Sequence, residues 1–451
     1  MPRKSFEDVL DYTEKSLKWI EAKGMEGDEQ KSFIEEIRHN YGTHINPGFL
    51  EYRKAAGEDD MAMEWSANGD TFMDLQGREY IDCLGGFGVY NCGHRHPTIV
   101  KAVTDQISKQ PLSSAELVDS NRALLARILA DVSPGDLQYT FFTSSGTEAI
   151  ESALKMSALA TGRHFFIAFE GDFHGKTAGA LSLTSKAHFR GPFLPLLQGT
   201  RHCKFGDLDM LTKMLEVMEF TGELPAAIVF ETIQGEGGIN IPPDDFIPGI
   251  RKLCDKYGIM MVADEVQSGM GRTGTLFAVD YYDVAPDIIC CAKAIGGGVM
   301  PLSACICTEE AFKGMFPDPL LHSTTTGGSP TATAAGIAAL NVILKEDLPG
   351  KAKRAGGIFM EGLEKIKAKY PKLMTDVRGR GLFLAMEFID GDIGYEVVYE
   401  MFNRKVLVSG SLINAKTIRI EPPLMISDEH IERALQVIDE SCGVVYEKHG
   451  W

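Results

Sequence analysis

The chain has 451 residues, 44% of them hydrophobic, and a formal net charge of −18 spread along its length. That length supports a large core and two domains, and the dispersed acidity excludes the basic face that a nucleic-acid partner needs. Mean hydropathy is −0.07 and no apolar run reaches membrane length, so a soluble protein is expected.

The opening stretch MPRKSFEDVLDYTEKSLKWIEAKG turns acidic within six residues and lacks the apolar centre of a signal peptide. It predicts an amphipathic helix, within a helical and extended segment over 1–75 expected to pack with the smaller domain. From about residue 76 short apolar runs alternate with helical patterns, the mark of a parallel α/β sheet. RHFFIAFE (163–170), AAIVFE (226–231), GIMMVADE (258–265) and PDIICCAK (286–293) each predict a buried strand with a charged residue at its exit. DFIPGIRKLCDKYG (245–258) between them predicts a helix closed by glycine. A large domain over 76–335 is expected. The pattern then changes to a long helix from TATAAGIAALNVIL, strands in RGLFLAMEFI, KVLVSG and TIRIEPP, and a last amphipathic helix from about Asp428, giving a smaller α+β domain over 336–451. Nine cysteines, including the adjacent Cys290 and Cys291, show neither a disulfide framework nor metal-ligand spacing. Free thiols in a reducing cytoplasm, and no metal, are the expectation.

Three stretches could hold phosphate. GDFHGKT (171–177) ends like a nucleotide-binding loop, but only three residues separate Gly171 from Gly175, whereas a Walker A loop needs four. One position earlier stands Glu170, whose carboxylate would repel a triphosphate, and Phe173–His174 would block close backbone approach. GMGRTG (269–274) is a lone glycine pattern that does not open a helix, and a flexible loop explains it better. FFTSSGTEAIESALKMS (141–157) is the better candidate. An apolar pair ends a strand, and Ser145-Gly146-Thr147-Glu148 opens a helix with capping-box spacing. The helix N-terminus then offers backbone N–H groups and a positive dipole end to one anion.

Two strand exits give that anion site its meaning. Asp264 stands at the end of one strand, with Gln267 three residues on, and Lys293 stands at the end of the next. A desolvated strand-end amine, a carboxylate and a single-phosphate cradle are what pyridoxal phosphate requires: an amine for its aldehyde and a partner for its ring nitrogen. Phe173 is the candidate to cover the ring.

With Asp264-Glu265, the glycine-rich stretch and Asp287-Ile-Ile through Lys293, the sequence resembles the class III pyridoxal-phosphate-dependent aminotransferases. SSGTEA, DFHGK, ETIQGEGG (231–238), HSTTTGGSP (322–330), RGRGL (378–382) and TIRIEPPL (417–424) agree in order. NPGFLEYRK (46–54), IDCLGGFGVYNCGHRHP and NAKTIRIEPPL are most similar to the bacterial putrescine (diamine) branch. The resemblance implies fold type I: an α/β large domain on a mainly parallel, seven-stranded type of sheet, with a smaller C-terminal α+β domain. It implies Lys293 as Schiff-base lysine and proton carrier, Asp264 against the ring nitrogen and Gln267 at the ring hydroxyl. Ser145, Gly146 and Thr147 would hold the phosphate, completed by Thr325 of a neighbouring subunit, so a homodimer or higher oligomer is expected. Phe173 would stack on the ring with His174 beside it. Glu231, counted also among the cofactor contacts, resembles with Glu236 and Arg419 the family's carboxylate-handling set.

Phe87, Tyr90 and Trp65 are candidates for lining the substrate pocket, and Lys176 for a carboxylate contact near it. Thr232 departs from the family's usual Pro, Thr326 from an aromatic and Ser329 from Asn. The expected reaction is ping-pong transfer from a terminal diamine such as putrescine or cadaverine to 2-oxoglutarate or pyruvate, in the cytoplasm. Enzymes of 4-aminobutyrate, ornithine or acetylornithine share these residues. Racemases and decarboxylases use the same Lys–Asp–phosphate apparatus, and a nucleotide-binding module is the alternative outside catalysis.

Overall fold

The apolar runs assemble into one seven-stranded sheet in the computed structural model, which describes residues 4–55 and 62–451. Its strands are β1 (Tyr139–Thr143), β2 (Phe166–Phe169), β3 (Thr200–Cys203), β4 (Ala227–Glu231), β5 (Met260–Asp264), β6 (Ile288–Cys291) and β7 (Ser303–Cys307). They lie in the order β1-β7-β6-β5-β4-β2-β3, with β7 antiparallel to both neighbours and the remaining pairs parallel. Every residue of β2, β4, β5, β6 and β7 is buried. Strands covered on both faces read as unbroken apolar runs, which is why they were visible without alternation.

The register sets Glu231 level with Asp264, and Asp264 level with Cys290. The segments that follow these strands therefore leave the sheet along one edge, its carboxyl end, where open α/β sheets hold their ligands.

Eight helices matter here: α1 (Phe6–Glu21), α2 (Gly27–Asn40), α3 (Gly146–Thr161), α4 (Phe246–Tyr257), α5 (Pro330–Lys345), α6 (Leu348–Lys369), α7 (Gly391–Asn403) and α8 (Asp428–Lys448). Helix α3 buries Ala149, Ile150 and Ala153 in a cluster with Val229, Val262 and Cys305. Small side chains let it approach so closely that Cys290 Sγ donates to the Ala149 carbonyl at 3.5 Å. Helix α4 ends at Gly258, whose φ of 62° carries the left-handed cap that the sequence predicts.

Towards the C-terminus, β8 (Met374–Arg380), β9 (Phe383–Phe388), β10 (Ser409–Gly410) and β11 (Thr417–Ile420) form an antiparallel sheet in the order β8-β9-β11-β10. With α6, α7 and α8 it makes the smaller α+β part. The expected single strand KVLVSG is divided. Val406–Leu407 pair in parallel with Ile81–Asp82, whereas Ser409–Gly410 join β11. Val408, buried at the change of sheet, fills the corner, and a local apolar pattern carries no sign of such a switch.

The chain divides into two compact units, Met1–Ser66 with Phe72–Glu79, and Ala67–Thr71 with Tyr80–Trp451. In the first, α1 opens on the Ser5–Asp8 capping box and buries no residue, leaving Phe6, Leu10, Leu17 and Ile20 exposed. Trp19 meets Phe33 edge-on at 5.0 Å, and Phe33 meets Trp65 likewise at 6.0 Å. No helix among the described residues is long and apolar enough to cross a membrane. All nine cysteines are free and buried.

Candidate active site

A cavity of about 640 Å³ opens at the carboxyl edge of the large sheet. Ser145, Gly146, Thr147, Phe173, His174, Lys176, Glu231, Asp264, Gln267 and Lys293 all line it, although the sequence spreads them over some 150 positions.

The N-terminus of α3 forms one wall. The expected capping box does not form. Glu148 accepts from the Ser144 N–H at 3.0 Å and from Ser145 Oγ at 2.9 Å, but no side chain caps the helix N–H groups. Ser145 Oγ instead donates its proton to the Glu148 carboxylate, a charge-assisted bond. The helix terminus is thus left for an outside anion. A Cβ on Gly146 would come within 2.9 Å of Val266 Cγ1, so only glycine lets the backbone sit this deep. Gly175, at φ 130°, leaves room for Thr147, whose Oγ1 meets Thr177 Oγ1 at 2.7 Å.

The strand exits supply the opposite wall. Lys293 follows β6 with a φ of 48°, a left-handed conformation unusual for a residue with a side chain. Burial pulls its ammonium pKa below the ordinary 10.5, against the attraction of Glu421, Glu236 and Asp264, with Arg419 adding to the depression. Asp264 Oδ1 accepts from the Val266 N–H at 3.0 Å, and Oδ2 meets His174 Nδ1 at 2.7 Å. The other ring nitrogen of His174 lies 3.3 Å from Asp172 Oδ2. Burial disfavours charge on this imidazole, yet the hydrogen bonds and charges of Asp172 and Asp264 push it up to about 10. An imidazolium therefore stands between two carboxylates at neutral pH. Glu231 behaves oppositely: burial first, then Asp172 and Asp264, hold its carboxyl well above the usual range against the pull of His174. Its oxygens take the Phe173 N–H at 2.8 Å and the Gly235 N–H at 3.0 Å, fixing the loop that carries Phe173.

Gln267 lines the cavity but gives its amide N–H groups to Glu421, at 2.8 and 3.1 Å. Lys176 is exposed, with Nζ 4.7 Å from the Phe189 ring centroid and 5.9 Å from that of Phe173.

The cavity wall does not include Glu236, Arg419, Phe87, Tyr90, Trp65 or Thr325. Arg419 is fully buried, not the surface ion-pair residue that a strand position would suggest. Its guanidinium meets Glu236 at 2.8 Å, Glu421 at 3.6 Å and the Gly410 carbonyl at 3.0 Å, with the Phe87 ring 5.1 Å away. Tyr90 lies against His94 at 3.9 Å between centroids. Trp65 packs with Phe33 in the N-terminal unit. Thr325 is exposed on the loop before α5.

Sequence reasoning missed Asp172, Glu421 and Arg272. Asp172 sits two residues before His174, and Glu421 interrupts the apolar pattern of TIRIEPPL, so each left a faint signal. Arg272 lies in the GMGRTG decoy. It is fully buried and bonded to the carbonyls of Leu382 (3.0 Å) and Pro422 (2.6 Å) and to Asn91 Oδ1 (2.6 Å), which makes that loop a structural junction. Two departures also have local reasons. Thr232 donates to the buried Glu265 at 2.8 Å, and Ser329 caps α5 as Asn would.

An anion site built from backbone N–H groups, a desolvated amine and an aspartate held by an imidazolium answer the three parts of pyridoxal phosphate: phosphate, aldehyde and ring nitrogen. Fold and site together define a pyridoxal-phosphate enzyme of fold type I. The model of the class-III aminotransferases matches residues 55–441, and the chain belongs to that family. Among solved structures it is similar to a transaminase from the marine bacterium Virgibacillus, at 28% identity over 86% of this chain and 94% of that one, TM-score 0.81. It is also similar to the ornithine aminotransferase of Toxoplasma gondii ME49 (26%, 99% and 100%, TM-score 0.84). A third is the taurine:2-oxoglutarate aminotransferase of Bifidobacterium kashiwanohense, in complex with the cofactor and glutamate (27%, 92% and 98%, TM-score 0.83).

Proposed function

We propose that this aminotransferase takes the terminal amino group of a diamine such as putrescine or cadaverine and passes it to 2-oxoglutarate or pyruvate, as a cytoplasmic homodimer. The observation that supports a donor whose reacting end lacks a carboxylate is the buried Glu236–Arg419–Glu421 set, in which two carboxylates face one guanidinium. The choice of a diamine among such donors rests on the resemblance of NPGFLEYRK and NAKTIRIEPPL. With Glu236 on Arg419, the guanidinium is neutralised and a donor without a carboxylate is accepted. When an oxo acid enters, its carboxylate replaces Glu236 on Arg419. One arginine thereby serves both half-reactions.

Pyridoxal phosphate, when bound, supplies an aldehyde that captures amines and a ring that accepts electron density from the carbon losing its proton. Helix α3, through Gly146 and Thr147 with Ser145, would hold the phosphate, and Thr325 of a second copy would complete the cradle. Phe173 would cover one face of the ring. Asp264 would face the ring nitrogen and hold a proton there, and His174, 2.7 Å from its Oδ2, fixes its direction. Lys293, its basicity lowered by burial, would hold the aldehyde until the donor amine displaces it and, once freed, would carry the proton from the donor carbon that bears the amine.

The test is a panel of diamines and ω-amino acids with 2-oxoglutarate and pyruvate, following consumption of the oxo acid. Diamines turning over fastest supports the reading. Inert diamines with rapid ornithine or 4-aminobutyrate would leave the family intact and end the diamine assignment. Turnover that needs no oxo acid would point to a racemase or decarboxylase.

A further inference from the structure

Outside the cavity, one cluster of polar side chains has no part in the chemistry described so far. His322 stacks on Phe141 of β1 at 4.5 Å between ring centroids and an interplanar angle of 23°. Its Nε2 lies 2.8 Å from Ser152 Oγ and its Nδ1 2.8 Å from Lys155 Nζ, both on α3. Lys155 also reaches the Leu321 carbonyl at 3.3 Å.

The directions of these bonds follow from the donors. A lysine ammonium can only donate, so Nδ1 accepts and the ring hydrogen sits on Nε2. Nε2 then donates to Ser152 Oγ, and the serine hydroxyl donates to the Glu148 carbonyl at 2.8 Å. The chain Lys155, His322, Ser152, Glu148 ends in the first turn of α3, beside Gly146 and Thr147. Burial, and then Lys155, lower the His322 pKa against Glu151 and Glu148, in keeping with a neutral ring.

His322 begins the run His322-Ser-Thr-Thr-Thr-Gly-Gly-Ser329, whose far end is also fastened. Arg122 donates to the Gly327 carbonyl at 2.8 Å. A Cβ on Gly327 would come within 2.8 Å of the Phe142 carbonyl, and one on Gly328 within 2.9 Å of Phe142 Cγ. Between these anchors Thr325 and Thr326 are exposed. The result is a hydroxyl-bearing arch pinned at both feet to β1 and α3.

We propose that His322 is a positioning residue for cofactor retention. It fastens the Thr325 arch to α3, so the helix that cradles phosphate in one copy of the chain also holds out the arm that closes the cradle of the other. Loosening His322 lets the arch sway and weakens phosphate binding at a site His322 does not touch. This rests on the reading of Thr325 given above.

The experiment titrates pyridoxal phosphate into apo dimer, following tryptophan fluorescence and cofactor absorbance, for the wild type, T325A, H322A, the double variant and K155M. T325A and H322A are each expected to raise the Kd about ten-fold, the scale of one hydrogen bond to a charged group. The double variant should match a single one, because residues acting through one contact are not additive. H322Q, which keeps one hydrogen bond to the helix, should recover part of the affinity. An unchanged Kd for H322A, or losses that multiply in the double variant, overturns the positioning role while Thr325 stands. An unchanged Kd for T325A overturns the Thr325 assignment and this inference with it. If H322A does not fold, the exposed Lys155 decides: K155M should weaken binding several-fold and lose that effect in T325A, and unaltered affinity overturns the proposal.

Discussion

Replacing His174 with glutamine removes the imidazolium that joins Asp264 to Asp172 while leaving a side chain able to donate one hydrogen bond. In the folded protein His174 is raised from 6.5 to about 10, burial opposing the charge and the two aspartates more than compensating. At about 1.36 kcal/mol per unit, that displacement is worth on the order of 5 kcal/mol. The folded value exceeds the unfolded one, so the contribution is complete below pH 6.5 and disappears as pH rises through 10. Urea midpoints of apo wild type and H174Q, measured at intervals between pH 6.5 and 10, should converge as the wild type loses this advantage. Carbon-13 NMR of labelled histidine, with H174Q identifying the signal, should show one imidazole still protonated at pH 9. A constant stability gap over that range, or a His174 signal titrating near 6.5, refutes the charged assignment. The loaded H174Q enzyme should also lose about 100-fold in kcat, the scale of a general acid–base contribution, since Asp264 is then neither fixed nor countered.

The remaining predictions touch other parts of the chain. Gly146→Ala places a methyl against Val266 at the phosphate cradle and should raise the Kd for pyridoxal phosphate about ten-fold or more, read by fluorescence titration. Arg419→Met should raise the KM for the oxo acid and spare the amine half-reaction, which single-turnover absorbance separates. Arg272→Met leaves Asn91 and two carbonyls buried without their donor and should reduce stability by about 3–5 kcal/mol, seen as a lower urea midpoint at unchanged slope.

The sheet was legible because its strands are buried on both faces, so AIVFE, MMVAD and IICC needed no alternation to stand out. Asp264 and Lys293 drew notice only in combination, as a strand-end carboxylate and amine beside a helix terminus suited to one phosphate, and the short spacing of GDFHGKT, with Glu170 and Phe173–His174, set ATP aside. Other features depended on distance along the chain. Glu421 meets Gln267 across 154 positions and Arg272 meets Asn91 across 181, separations at which a local pattern is silent. The capping box shows the same limit. Its spacing was correct, but the choice of Glu148 over the helix N–H groups as the partner of Ser145 is made by geometry. The split of KVLVSG between two sheets likewise depends on a partner far away, Ile81, which takes Val406 while Ser409 pairs with the nearby Arg419.

The burial of all nine thiols gives the enzyme an internal clock for opening. A thiol reagent has no surface site to consume it, so each modification event reports that a strand or helix has come apart. Cys305 and Cys307 lie on β7, between β1 and β6 of the large sheet, whereas Cys442 lies on α8. Mass-resolved labelling of the native protein would time the release of these two regions separately, without any introduced probe, and would show whether bound cofactor slows one of them or both.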